Sequence, residues 1–254
     1  MVKRSYRESE ANIKLLEQIT ELKAEHPFWG YRRIWAYLRF RLGHKINHKR
    51  IYRLMKKNDL LVPKNLKLKA SRSHRTKPKT VEPNYYWGID MTKIMIPEYG
   101  WAYLHVVIDW GSKKLLSCKL SSRSKTADWL EALDEAINLQ FPEGIKDVEC
   151  KPALVSDHGS QPTSLKFIEE CGILGIQQIF ASYGNPKGNA DTERVIRTIK
   201  EDLVWIREYS SFEELESTLV EWVKNYNEDY PHSTIGYMTP YEYERWFNTA
   251  ASAA

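Results

Sequence analysis

S-D-H-G-S-Q at residues 156–161 opens a segment that closes with G-N-P-K-G-N-A-D-T-E-R-V-I-R-T-I-K at residues 184–200. A mostly apolar run at residues 152–156 stops at a Gly-Ser turn, which predicts a buried strand with Asp157 at its tip. Apolar residues at helical spacing follow Glu193, so this carboxylate is predicted to lie in the first turn of a helix. The two acids make the segment a candidate active site.

A third acid lies in a comparable setting. Asp90 interrupts an aromatic and β-branched run at residues 85–96, although aspartate is a poor strand residue. A buried carboxylate costs free energy unless a cation neutralises it. Asp90, Asp157 and Glu193 would together form an oxygen-only cage, the ligand set that suits magnesium or manganese rather than zinc or copper. Glu193 alone is not diagnostic, because the helix dipole favours a carboxylate in any first turn.

The spacing of these acids resembles a known pattern. Asp157 and Glu193 are separated by 35 residues, and with Asp90 they resemble the D, D-35-E triad of retroviral integrases and bacterial insertion-sequence transposases. The words D-H-G-S-Q and G-N-x-x-x-N-A-x-x-E-R are similar to the integrase-like insertion-sequence transposases in particular, and the resemblance covers about residues 13–247. Two positions depart from the pattern, since His158 replaces a basic residue and Gly188 replaces a frequent aspartate.

The resemblance implies a fold, an activity and a set of site residues. It implies an α/β fold with a ribonuclease-H-like core and a metal-dependent polynucleotidyl transferase that uses two Mg²⁺ (or Mn²⁺) ions. Asp90, Asp157 and Glu193 would then be both the catalytic and the metal-binding residues. It also implies that Lys200 contacts DNA beside the metals, with Lys187 and Arg197 as further DNA contacts. The bare spacing of Lys200 from Glu193 is equally compatible with a solvent-exposed lysine.

Charge is distributed unevenly along the 254 residues, a length that favours two domains. Residues 1–80 carry 22 Lys and Arg against 6 Asp and Glu, a net charge of +16, whereas residues 81–254 carry 16 against 27, a net charge of −11. A basic front third is typical of nucleic-acid binding. A merely solvated surface is the alternative, but such surfaces usually mix both signs.

Several classes of protein are disfavoured by the sequence. No apolar run reaches the roughly 20 residues needed to span a bilayer, and the first residues lack the apolar core of a signal peptide. The three cysteines are odd in number and widely spaced, so neither a disulfide framework nor a Cys-x-x-Cys zinc site is expected. We therefore expect a cytoplasmic, nucleoid-associated bacterial protein with no membrane partner.

The basic front third predicts a helix-turn-helix domain at residues 9–62. Apolar residues at helical spacing indicate three short helices, the last of which begins after Asn47 as its N-cap. A final helix of this kind lies in the DNA major groove. The predicted DNA contacts of this domain are Arg32, Arg33, Lys49, Arg50, Arg53, Lys56 and Lys57. The alternative is a basic helical cap on the core.

The remaining chain divides into three segments. Residues 63–84 are predicted as a basic linker, residues 85–208 as the catalytic core and residues 209–249 as a C-terminal helical segment. The core has the element order β-β-β-α-β-α-β-α, which is typical of an α/β fold. Asp109 is a rival acid that we interpret as an exposed turn residue, and Asp191 is interpreted as a partner of the helix dipole.

The main functional hypothesis is a transposase that cleaves insertion-sequence ends and joins the 3′-hydroxyl to target DNA. Two alternatives remain open: a ribonuclease-H-like nuclease without strand transfer, and a catalytically dead DNA-binding regulator. A tyrosine recombinase is disfavoured, because the chain lacks the Arg-rich constellation that resembles that family. The expected partners are double-stranded DNA of the element ends and target, further copies of the chain, and an upstream-encoded DNA-binding region supplied separately or by frameshift fusion.

Overall fold

A computed structural model of the chain describes residues 10–63, 82–181 and 188–252. The chain divides into two compact units, residues 1–69 and 70–254. Most of the predicted linker, at residues 64–81, lies outside the described residues. Across the described ranges, no helix combines the length and the apolar character needed to cross a membrane.

The first unit contains the three predicted helices, α1 (Glu10–Glu25), α2 (Tyr31–Phe40) and α3 (His48–Lys57). Each helix contributes a fully buried isoleucine to a common core, namely Ile19, Ile34 and Ile51. The Asn47 side chain accepts a hydrogen bond from the Lys49 backbone N–H at 2.8 Å, which satisfies a donor that the start of α3 would otherwise leave unpaired. The predicted N-cap of α3 is therefore confirmed.

The second unit is built on a five-stranded sheet. Its strands are β1 (Tyr86–Ile96), β2 (Gly100–Asp109), β3 (Leu115–Ser121), β4 (Ala153–Ser156) and β5 (Gln178–Phe180). Their order in the sheet is β3-β2-β1-β4-β5. The first three strands form the predicted antiparallel meander, and β4 and β5 run parallel to β1. The α/β class predicted from the element order is confirmed.

Helices cover both faces of this sheet. The α-helices that the structure describes in this unit are α4 (Thr126–Gln140), α5 (Leu165–Leu174), α6 (Ala190–Ile199), α7 (Phe212–Asp229) and α8 (Pro240–Ser252). The core on one face joins Trp87 and Ile89 of β1 to Leu133 of α4 and Phe167 of α5. Successive residues of a strand alternate between its two faces, so Gly88 and Asp90 lie on the opposite face, where α6 packs against β1.

The C-terminal helices are attached to the edge strand β3. The side-chain amide of Asn227 on α7 accepts from the Leu115 backbone N–H and donates to the Leu115 carbonyl, each at 2.9 Å. On α8, Glu244 forms a 2.9 Å ion pair with the buried Lys114, just before β3. Aromatic residues of this segment, including Tyr226 and Tyr230, are buried and pack on one another.

Candidate active site

The register between two parallel strands brings Asp90 and Asp157 to the same level of the sheet. Gly88 of β1 pairs with Val155 of β4, so two further residues along each chain lead to Asp90 and Asp157. Asp157 directly follows the last residue of β4 and is exposed, whereas Asp90 lies within β1 and is half-buried. Because the strands are parallel neighbours, these carboxylates lie at one edge of the candidate site.

Glu193 approaches Asp90 from the helix side. It is exposed and lies in the first turn of α6, where its backbone N–H donates to the Asn189 carbonyl at 3.0 Å. The pKa of Asp90 is raised to about 6, chiefly because the carboxyl is buried. The negative charges of Asp157 and Glu193 raise this pKa as well, so both acids interact electrostatically with Asp90.

Several hydrogen bonds orient the two aspartates. The Met91 backbone N–H donates to Asp90 Oδ1 at 2.7 Å, and this bond opposes the rise in the pKa of Asp90. On the Asp157 side, the Gly159 N–H donates to Asp157 Oδ1 at 2.9 Å. A Cβ at Gly159 would lie 2.9 Å from the same oxygen, so the tight turn after β4 favours glycine there.

Asn189 is a site residue that the sequence analysis missed. It occupies the N-cap position of α6, yet its side chain makes no capping hydrogen bond. Its Nδ2 instead donates to Asp90 Oδ2 at 3.4 Å. The only sequence feature that pointed to Asn189 is the Asn-Ala pair at the start of the predicted helix, and this pair by itself indicates only an N-cap.

The donors at this site suit a hard divalent cation. All three acids offer oxygen ligands, and Asn189 Oδ1 is buried without a hydrogen-bond partner in the part of the chain that the structure describes. A cation would relieve the repulsion that contributes to the raised pKa of Asp90. Among the described residues, however, no three His, Cys, Asp or Glu side chains gather around one point in a group that could hold a metal ion.

The predicted DNA contacts near this site have different surroundings. Lys200 follows α6 directly and begins a π-helical turn (Lys200–Val204); its positive charge lowers the pKa of Asp90. Arg197 is engaged by an ion pair with Glu201, whose Oε1 lies 2.7 Å from Arg197 Nε. Lys187 lies outside the described residues. Of the two that the structure describes, Lys200 is the one whose charge acts on the pKa of Asp90.

The predicted DNA contacts of the first unit lie mainly on the outer side of α3. Five of the seven are exposed, namely Arg32, Lys49, Arg53, Lys56 and Lys57. Arg33 is half-buried with its guanidinium 5.6 Å from the centre of the Trp29 ring. Arg50 is also half-buried, and its Nη2 and Nε donate to Asn12 Oδ1 at 2.7 and 3.0 Å. Arg50 therefore ties α3 to α1.

The interpretation of Asp109 as an exposed turn residue is wrong. Asp109 is only 1% exposed. It accepts from the backbone N–H groups of Asn84 and Ser112 at 3.0 and 2.8 Å and from the Ser112 hydroxyl at 2.5 Å. These hydrogen-bond donors surround the buried carboxylate, and burial raises the pKa of Asp109. Asp191 was predicted only to interact with the helix dipole, and the structure adds an ion pair in which Asp191 Oδ2 lies 3.3 Å from Lys113 Nζ.

Family models and curated proteins match nearly the whole chain. Two models described as an integrase core domain match residues 80–186 and 174–240, and an HTH-like domain matches residues 10–67. The transposase InsK of insertion sequence element IS150 from Escherichia coli K12 is 30% identical over 246 residues, which cover 92% of this chain and 83% of that protein. The transposase InsD of IS2 elements from Escherichia coli is 26% identical over 238 residues, covering 91% of this chain and 78% of that protein.

A solved structure agrees in fold. A chain from the cryo-EM structure of the simian T-cell lymphotropic virus intasome, in complex with the PP2A regulatory subunit B56 gamma, has a TM-score of 0.52. It is 16% identical to this chain, and the match covers 88% of this chain and 73% of that one. The predicted ribonuclease-H-like core and preceding helix-turn-helix domain are therefore confirmed as the fold class.

Proposed function

We propose that this chain, which belongs to the insertion-sequence transposases with an integrase core domain, cuts the ends of a mobile DNA element and joins the freed 3′-hydroxyl to target DNA. Its class as a DNA transposase follows from the family. One observation supports the finer chemistry. The β1–β4 register places Asp90 level with Asp157, while the charge of Glu193 reaches Asp90 from α6.

The three carboxylates are proposed to hold two divalent cations, magnesium or manganese. Asp90 would be shared, and Asp157 and Glu193 would each complete one site, so neither ion requires all three acids. When bound, such ions supply an activated attacking oxygen and neutralise charge on the phosphate. This sharing is compatible with the absence, among the described residues, of a three-acid group around one point.

The chain's own task is to keep Asp90 deprotonated and oriented. Burial favours the neutral acid, whereas the Met91 N–H and the Lys200 charge favour the carboxylate. The Met91 N–H and the Asn189 amide each hold one of the two Asp90 oxygens. We assign Lys200 a second task, which is to contact a DNA phosphate beside the acids.

Double-stranded DNA is the proposed partner of both units. The cationic side of α3 supports phosphate contacts around a helix placed in the major groove. The proposed DNA-contact residues are Arg32, Arg33, Lys49, Arg50, Arg53, Lys56, Lys57, Lys187, Arg197 and Lys200. Because an element has two ends, we propose that copies of the chain assemble on DNA in the bacterial nucleoid, with an upstream-encoded DNA-binding region as a further partner.

The proposal is tested with a duplex carrying the element ends that flank the coding sequence, a supercoiled target plasmid, and Mg²⁺ or Mn²⁺. We expect two products, a strand nicked at the element end and a strand joined to the plasmid. Nicking without joining under all conditions would favour a ribonuclease-H-like nuclease. Duplex binding without either product would favour a DNA-binding regulator.

A further inference from the structure

We infer that Thr192, held by Trp110 against Gly88, is a positioning residue that sets Glu193 opposite Asp90. The inference rests on the proposed function, in which Asp90 and Glu193 share the reaction. Trp110 Nε1 donates to Thr192 Oγ1 at 3.2 Å. Both residues are interior, with Trp110 1% and Thr192 0% exposed. Thr192 directly precedes Glu193, so this bond attaches the first turn of α6 beside the acid.

Gly88 allows α6 to approach β1 unusually closely. A Cβ at Gly88 would lie 1.9 Å from Thr192 Oγ1 and 2.4 Å from Trp110 Nε1, distances that no side chain tolerates. Gly88 lies two residues before Asp90, on the same face of β1. The hydroxyl of Thr192 therefore rests directly on the strand that carries Asp90.

The turn that supplies Trp110 is itself fixed. The Trp110 backbone N–H donates to the Tyr86 carbonyl at 2.9 Å, which joins the turn to the start of β1. Lys113 Nζ donates to the Trp110 carbonyl and forms a 3.3 Å ion pair with Asp191. The turn between β2 and β3 thus contacts two consecutive residues of α6, Asp191 and Thr192.

This arrangement differs from simple packing. A buried threonine on a helix could be replaced by valine of the same shape if only volume mattered, but the hydroxyl here accepts a specific hydrogen bond. Loss of a residue that orients a metal-binding group weakens metal affinity or activity by about 10–100-fold, and Thr192 would orient Glu193 through the helix backbone that joins them. A purely structural residue would change the melting temperature and leave metal affinity alone.

The test compares Mn²⁺ affinity of the full chain, measured by electron paramagnetic resonance well below each variant's melting temperature. Thr192→Val keeps the shape and removes the acceptor, and we expect it to weaken Mn²⁺ binding about tenfold or more. Thr192→Ser keeps the hydroxyl and should restore affinity to within about twofold of wild type. Thr198→Val is the matched control, because Thr198 is also buried on α6 but donates to the Arg194 carbonyl within its own helix.

The inference is overturned if Thr192→Val binds Mn²⁺ like wild type, if Thr192→Ser is as impaired as Thr192→Val, or if Thr198→Val is equally weak. Should Thr192→Val fail to fold, Trp110→Phe removes the donor from the other side and carries the same expectation. Glu193→Gln tests the proposed metal-binding acids separately from the positioning role of Thr192. If it binds Mn²⁺ normally, the proposed acids are wrong and the inference fails with them; if it binds weakly while Thr192→Val binds normally, only the positioning role is lost.

Discussion

The side-chain Nδ2 of Asn189 donates to Asp90 Oδ2 at 3.4 Å, while its side chain accepts no capping hydrogen bond from the helix that it precedes. The two residues are 99 positions apart, and the contact joins the start of α6 to the interior of β1. Asn189 therefore occupies the N-cap position without capping the helix. Its amide instead contacts one oxygen of a carboxylate in the candidate site.

Replacing Asn189 by serine should separate capping from orientation. Serine is a good N-cap residue but too short to reach Asp90, so we expect a melting temperature near that of wild type and cleavage reduced by about tenfold. The two quantities are measured on the same preparation by thermal melting and by nicking of a labelled element end. Cleavage at the wild-type rate would show that the contact from Asn189 to Asp90 does not orient the site.

Single replacement of Asp90, Asp157 or Glu193 by the matching amide should abolish cleavage and joining together. Duplex binding should survive, because the proposed DNA contacts are cationic residues elsewhere in the chain. Gel-shift and strand-transfer assays on each variant provide the measurement. Glu208→Gln, at an exposed position outside the proposed acids, is the control. Substantial activity in any one of the three variants would remove that residue from the proposed set.

The raised pKa of Asp90 makes a prediction about stability without metal. Its folded-state pKa of about 6 exceeds the ordinary value of 3.8, so the folded chain holds this proton more tightly than the unfolded chain does. Stability contributed by Asp90 is therefore present below about pH 4 and is lost as the pH rises towards 6. Asp90→Asn should stabilise the metal-free protein at pH 7.5 by up to about 3 kcal/mol.

That gain should be mostly lost near pH 4, where Asp90 is protonated in the folded state and already about half protonated in the unfolded state. Urea titrations of both proteins at the two pH values provide the comparison. A gain that is equal at both pH values would show that burial of the charged carboxylate is not its cause.

Lys200→Ala should impair joining more than folding. Lys200 lowers the pKa of Asp90, so without it cleavage should require a higher pH, and loss of the proposed phosphate contact should reduce strand transfer. The free energy of unfolding should change by under about 0.5 kcal/mol, as is usual for a surface substitution. Lys224→Ala, an exposed lysine on α7, is the matched control. Wild-type joining and an unshifted pH profile would show that Lys200 serves neither purpose.

The cations of α3 should differ in what they do. For residues 1–69, we expect duplex affinity to fall steeply with salt, and Lys56→Ala to reduce the slope of log affinity against log salt by about 1. Arg50→Ala should lower the melting temperature as well, because Arg50, besides its proposed DNA contact, ties α3 to Asn12 of α1. Lys14→Ala, exposed on α1, is the control. A salt-independent affinity would contradict a phosphate-binding role for this helix.

Local patterns were sufficient for much of this fold. The strand before Asp157 and the helix after Glu193 follow from apolar spacing over a few residues, which reports directly on which side of an element is buried. Contacts between distant segments leave no such trace. The hydrogen bond from Trp110 to Thr192 spans 82 residues, and nothing near either residue in the sequence indicates it.

Asp109 is a second residue whose surroundings could not be predicted from its neighbours in the sequence. Its sequence neighbours predict a hairpin turn correctly, but its exposure depends on whether the turn folds inward. The N–H of Asn84, 25 residues away, completes the set of donors that makes burial of this carboxylate possible. The π-helical turn that begins at Lys200 is a further feature that apolar spacing did not predict.

Asn227 has a consequence for how copies of this chain can meet. An edge strand with unpaired backbone groups is a template on which another chain can add a strand, and such additions lead to aggregation. By occupying both the N–H and the carbonyl of Leu115, the amide of Asn227 blocks that template at the start of β3. Self-association through this end of the sheet would first have to release α7, so intermolecular sheet extension here is coupled to partial unfolding.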